Sequence, residues 1–206
     1  ARLDEAGDDV ERQRLMRYYR ACIQKHLYVH GRERRFLSKN ASFSGMAEAL
    51  LQTFPDARIL ACTRDPKKTV PSQLSSIRPG LEAAGFDTVP TWLRDRFVDL
   101  LRFYYAHLGA LAERRPDRVI VVDNGDLHAR LEETVKTAFG ALDLDITPQF
   151  AARLAAAGEA SRGFRSRHRY SLEQYGLSER DIDERFAGVV PRPSSVRAGA
   201  QEGAHG

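Results

Sequence analysis

Two short apolar runs constrain the fold of this 206-residue chain more than any other feature. Arg58-Ile59-Leu60-Ala61-Cys62-Thr63 lacks polar alternation, as a strand covered on both faces of a parallel sheet requires. Arg118-Val119-Ile120-Val121-Val122 is β-branched throughout and follows the Arg-Pro-Asp turn at 115–117, giving a second buried strand. Between them Leu93, Phe97, Leu100, Leu101, Tyr104, Leu108 and Leu111 keep a 3.6-residue period for about five turns, which predicts a long helix whose apolar stripe is core. Two strands joined through a helix imply a βαβ unit, a mainly parallel sheet and a right-handed crossover.

The remaining chain supplies more helices. Met16, Tyr19, Cys22, Ile23 and Leu27 predict an amphipathic helix over 9–27, stopped by Gly31 and the charged run Arg32 to Arg35. Arg35-Phe36-Leu37-Ser38 reads as a short buried strand. Met46, Leu50 and Leu51 predict a helix over 43–53, with Ser42 as its N-cap and Pro55-Asp56 as the following turn. A further helix is expected over about 130–142. Ser178 and Asp181 form a capping pair before a helix that buries Ile182 and Phe186. The Pro-, Ser-, Gly- and Ala-rich stretch from Pro191 to Gly206 reads as a disordered tail, leaving 1–190 as one domain.

The net charge of +4 favours an anionic partner, although most Arg and acidic residues alternate as on solvated helix faces. Cys22 and Cys62 show neither disulfide-scaffold nor zinc-site spacing and are expected to be reduced and buried. His26 and His30, spaced i, i+4, lack a third ligand nearby, so they read as ordinary surface histidines. No apolar run approaches a membrane span, and no signal segment opens the chain, so a cytoplasmic location is expected.

The chemistry gathers after the first strand, in Arg64-Asp65-Pro66-Lys67-Lys68-Thr69-Val70-Pro71-Ser72. Open α/β sheets bind ligands beyond the carboxyl ends of their strands, where an arginine holds phosphate through paired hydrogen bonds and a helix N-terminus adds donors. The competing reading pairs Arg64 with Asp65 or a neighbouring acid.

With Phe54-Pro55-Asp56-Ala57-Arg58 before this strand and Ser72 eight positions after Arg64, the segment resembles the PAPS-dependent sulfotransferases, bacterial type. The resemblance covers about residues 30–186. It implies a three-layer P-loop-like α/β fold with Arg64 and Ser72 on the 3′-phosphate of PAPS. Lys39 is similar to the lysine beside the transferring sulfuryl group, but Lys39-Asn40-Ala41-Ser42-Phe43 has no Pro or His, which leaves the acceptor's base unidentified. Val119 to Val122 followed by Asp123-Asn124-Gly125-Asp126-Leu127 is similar to the family's strand and Tyr-Glu-Asp-Leu-like turn, without the aromatic. The basic segment Arg162 to Tyr170, with Ser171-Leu172 and Tyr175-Gly176-Leu177 beyond it, resembles a bacterial sulfotransferase ending. The resemblance places Arg165 and Arg167 over the cofactor phosphate; a solvated surface run is the equal alternative.

The family's first strand and Pro-Lys-Ser-Gly-Thr-Thr-like phosphosulfate loop are not found, which suggests a sequence that is N-terminally incomplete and inactive as a fragment. The implied reaction moves a sulfuryl group from PAPS to a hydroxyl or amine on a small-molecule, glycan or lipid acceptor, without a metal. The loop from Arg78 to Pro90 is expected to hold that acceptor. A second reading is a non-catalytic nucleotide-binding or interaction module that keeps the 3′-phosphate half-site. A nucleic-acid-binding protein ranks third, since one Arg-aromatic segment is too little to carry it, and no nucleic-acid partner is expected.

Overall fold

In the computed structural model, which describes residues 2–162 and 170–194, the two apolar runs pair with each other. β1 (Ile59–Thr63) and β2 (Val119–Asp123) form a two-stranded parallel sheet in register Ile59↔Val119 through Thr63↔Asp123. The rest of the described chain is mostly helical: α1 (Leu3–Ala6), α2 (Asp9–His30), α3 (Ala47–Thr53), α4 (Pro66–Ala83), α5 (Thr91–Arg114), α6 (Asn124–Ala129), α7 (Leu131–Ala141), α8 (Pro148–Arg162) and α9 (Glu179–Phe186).

Side-chain alternation along the strands puts helices on both faces of the sheet. Ile59 and Val119 pack with Ala47, Leu51 and Leu111 of α3 and α5. Leu60, Ile120 and Val122 pack on the opposite side with Ala138 and Leu142, at the end of α7. A further cluster lies beyond the sheet, where Val70 and Leu74 of α4 meet Val98, Leu101 and Tyr105 of α5 and Leu172, Leu177, Ile182 and Phe186 of the C-terminal segment. Fully burying side chains of this size stabilises by about 2 kcal/mol each, so this cluster is what fastens α9 to the body.

Among the described residues Arg118 is the buried cation. Only 8% exposed, its guanidinium donates to the carbonyls of Leu51 (3.1 Å) and Phe54 (2.7 Å) at the end of α3, and to Ala57 (3.1 Å) before β1. These carbonyls lie at a helix terminus and the turn after it, where backbone acceptors are short of intrahelical partners. The backbone carbonyl of Arg118 accepts from Ile59 N–H at 2.8 Å, starting the β1–β2 ladder. Burial, then repulsion from Arg115 and Arg58, pulls Arg118 below the ordinary arginine value.

At the other end, the Asp4 carboxylate accepts from the backbone N–H of Glu48 (2.8 Å) and Ala49 (3.0 Å), capping α3, and meets His107 Nε2 at 2.9 Å. This cap comes from 44 residues away, so no local pattern announces it.

Several expectations are corrected. Residues 35–38 form no strand: Leu37 is 90% exposed, while Phe36 leans edge-on against His26. The described structure pairs no neighbouring chain with them, and four extended residues do not hold a ladder alone. Cys62 of β1, expected to be buried, is exposed between buried Ala61 and Thr63. Cys22 is likewise free and exposed rather than buried, because of the residues of α2 only Met16 is buried. Ser42 is not the helix cap. A 3-10 helix over Ala41–Met46 precedes α3 and is capped by Asn40, which accepts from Ser42 N–H at 3.0 Å, while α3 itself takes its cap from Asp4. Asp123 to Leu127 are not merely a turn, since Asp123 caps α6. Arg78 to Ala83 belong to α4, which shortens the 78–90 loop to residues 84–90.

The C-terminal stretch is in place as far as residue 194. Ser194 N–H donates to the Val121 carbonyl at 2.9 Å, and Val121 N–H donates to Ser194 Oγ at 3.0 Å. No helix among the described residues is long and apolar enough to cross a membrane.

Replacing Arg118 with Met is expected to cost about 3 kcal/mol, because three carbonyls, one buried and two partly buried, lose a charged donor. Urea unfolding monitored by circular dichroism measures this, and an unchanged midpoint would contradict the hub role.

Candidate functional site

The β1–α4 junction is built by a short capping device. Pro66 opens α4 with a fixed φ and no N–H to satisfy, and Asp65 is the N-cap. Its side chain accepts from Lys67 N–H at 2.9 Å, and its carbonyl accepts from the N–H groups of Lys68 and Thr69 at 2.9 Å each. The helix therefore satisfies its own first donors. The donors expected to greet an anion at this terminus are occupied, so recognition here falls to side chains.

Arg64 stands immediately after β1, exposed, with no ion pair or side-chain hydrogen bond among the described residues. The competing pairing with Asp65 is not formed, because the Asp65 carboxylate faces the helix backbone. Ser72 is half-buried on the second turn of α4, roughly 9 Å along the axis from Pro66. Lys68 precedes Ser72 by one helical turn on the same face and is exposed, again without an ion pair among the described residues. Arg64, Lys68 and Ser72 thus supply two cations and a hydroxyl at the carboxyl edge of the sheet.

The neighbouring lysine serves a different purpose. Lys67 Nζ pairs with Asp183 at 2.9 Å and Glu179 at 3.3 Å, both on α9. The hydrogen bond to Asp183 leads the upward shift of Lys67, with Glu179 adding to it and desolvation opposing. At the start of α9, Ser178 Oγ accepts from Asp181 N–H at 3.2 Å, while Asp181 Oδ2 accepts from Ser178 N–H at 2.7 Å. This is the capping box read from the sequence, with Ile182 and Phe186 buried as expected.

Behind Arg64 lies Tyr105, which the stripe read from the sequence passes over in favour of its neighbour Tyr104, although Tyr105 is the buried one. Its hydroxyl donates to the Arg64 carbonyl at 2.5 Å and lies 3.0 Å from Thr69 Oγ1. The ring packs edge-to-face on Phe186, with centroids 5.6 Å apart. Burial pushes the phenol above its ordinary value, outweighing the hydrogen bonds to Thr69 and Arg64, so it stays protonated and able to donate. No sequence signal reveals this role, because an interior tyrosine on a helix fits a plain core stripe equally well.

Lys39 is exposed on the irregular segment after Gly31, and no hydrogen bond or ion pair among the described residues joins it to Arg64 or Ser72. Arg165 and Arg167 lie outside the described residues. His26 and His30 lie with ring centroids 4.4 Å apart and planes tilted by 41° at the end of α2, and no group of three metal-ligating side chains occurs among the described residues. A cavity of about 520 Å³ beside α2, lined by Gln24, Lys25, Leu27, Tyr28 and Arg32, contains neither Arg64, Lys68 nor Ser72.

The sequence profile of the sulfotransferase family matches residues 2–148. The chain belongs to the sulfotransferase family. The match takes in α1 and α2, ahead of where the resemblance at Arg58 to Ser72 is readable by eye, and it includes the whole β1–α4–α5–β2 unit. It stops before α8 and α9, so the C-terminal likeness at 162–177 rests on its residues alone. No curated protein and no solved structure showed significant similarity to this sulfotransferase.

The Ser178 hydrogen bonds hold the Asp181 carboxyl below its ordinary value of 3.8. A group depressed in this way stabilises the fold fully above its unfolded value and loses that contribution as pH falls toward the folded one. Ser178→Ala is therefore expected to lower the urea midpoint at pH 7, with the gap to the unaltered protein narrowing from pH 5 to pH 3. A gap constant over that range would show that the carboxylate contributes nothing.

Proposed function

We propose that this sulfotransferase uses PAPS as donor and that Arg64 and Ser72 anchor its 3′-phosphate. The observation that carries this reading is an exposed guanidinium without an ion pair among the described residues, at the carboxyl end of β1, on a backbone fixed by Asp65 and Tyr105. A binding arginine with an acid partner would first have to break that pair. Arg64 has none to break among the described residues.

The site's chemistry fits a dianionic phosphate. A guanidinium offers two parallel donors to phosphate oxygens, and Ser72 adds a neutral hydroxyl donor. Lys68 raises the local positive potential, while Lys67 is neutralised by Glu179 and Asp183. Arg165 and Arg167 are proposed to close over the same phosphate. They belong to the connection between α8 and the Leu172–Phe186 segment, which packs against α4 and α5.

The donor supplies an activated sulfuryl group. The acceptor is a hydroxyl or amine on a small molecule, glycan or lipid, whose lone pair attacks sulfur as the bond to the 5′-phosphate oxygen breaks. Lys39 is proposed to offset the negative charge that builds on the transferring group, which its exposure on an irregular segment allows only once that segment is drawn to the donor. The acceptor's proton needs a base, and none of the described histidines occupies the β1–α4 junction.

Calorimetry with adenosine 3′,5′-bisphosphate tests the assignment. Arg64→Ala is expected to weaken binding by about tenfold or more, the worth of a charge-assisted hydrogen-bond pair, and to leave adenosine 5′-monophosphate unaffected. Equal affinities of the two proteins for the bisphosphate would remove Arg64 from the site.

A further inference from the structure

The turn that presents Arg64 is clamped from α5 and α9. Tyr105 reaches from α5 beneath the strand end, its phenol donating to the Arg64 carbonyl at 2.5 Å. Thr69 Oγ1, one turn into α4, lies 3.0 Å from the same phenol, 3.2 Å from the Asp65 carbonyl and 3.4 Å from the Arg64 carbonyl. One buried hydroxyl thus ties the last residue of the strand end to the first turn of the next helix. Tyr105 itself is held by Phe186, whose helix sends Glu179 and Asp183 to Lys67 on the outer side of that turn.

We propose that Tyr105 is a positioning residue for phosphate recognition: its hydroxyl fixes the backbone from which the Arg64 guanidinium projects, and α9 keeps that hydroxyl in place. This rests on the assignment of Arg64 to the 3′-phosphate and extends it to a residue that touches no ligand. The hydroxyl is the informative atom. Tyr105 is only 7% exposed and sits in the α4–α5–α9 cluster, where a phenylalanine would bury the same ring. Without the hydroxyl, the Arg64 carbonyl keeps, among the described side chains, the weak 3.4 Å contact with Thr69. Arg64 then samples more backbone orientations, and a bidentate contact, which depends on direction, weakens more than a simple charge contact does.

The test compares the unaltered chain with Tyr105→Phe and Thr69→Val, titrated with adenosine 3′,5′-bisphosphate and with adenosine 5′-monophosphate, alongside urea midpoints. Tyr105→Phe is expected to bind the bisphosphate about fivefold more weakly, the worth of one directing hydrogen bond, and the monophosphate equally well. Thr69→Val is expected to shift affinity in the same direction by less. Selective loss of bisphosphate affinity that does not follow the urea midpoint supports positioning. Unchanged bisphosphate affinity in Tyr105→Phe, or equal weakening for both nucleotides in step with a lower midpoint, overturns it. If the unaltered chain fails to prefer the bisphosphate, the assignment of Arg64 falls first and the positioning role falls with it; a preference retained in full by Tyr105→Phe removes the positioning role alone.

Discussion

The guanidinium of Arg118 is the junction on which the sheet depends. It gathers carbonyls from the end of α3 and from the turn before β1, while its own backbone carbonyl begins the ladder to Ile59. A two-stranded sheet has little cohesion of its own, so the register of β1 against β2 has to be set from outside the ladder. Arg118 sets it at the amino end of both strands. Everything at the carboxyl end, including the position of Arg64, inherits that register through five paired residues.

The carboxyl end is secured by different means. Where the amino end uses a buried charge facing neutral carbonyls, the carboxyl end uses a cap, a buried phenol and a pair of ionic contacts to α9. The division suits a binding edge. A buried cation at such an edge would carry a desolvation penalty before any ligand arrived, whereas Arg64 stays in water and the rigidity beneath it comes from neutral or already paired groups.

What the sequence discloses is local. Both strands, the long α5 and the Ser178 box are visible because hydrophobic period and cap chemistry act over a few residues. Arg64 and Ser72 are visible because they occupy fixed steps from a strand that is itself visible. The contacts that determine how the site is held are not of this kind. Tyr105 meets Arg64 across 41 positions, and Asp4 caps α3 across 44. Neither leaves a periodic trace, since an aspartate in a short opening helix and a tyrosine beside an apolar stripe are each explained without them. The strand read into residues 35–38 fails for the complementary reason: apolar character was legible there, but a strand also needs a partner, and no residue in that stretch specifies one.

The Ser194–Val121 contact gives the sheet two unlike edges. The Arg118 carbonyl points toward β1, and backbone groups on a strand alternate in direction, so the N–H and carbonyl of Val121 face away from β1, where Ser194 takes both. The outer side of β2 is thereby closed at its midpoint by the protein's own later residues, while the outer side of β1 carries no such contact among the described residues. Among the described residues the outer side of β1, the strand that leads into Arg64, is therefore the sheet's open edge, and an unpaired edge is where a further strand adds.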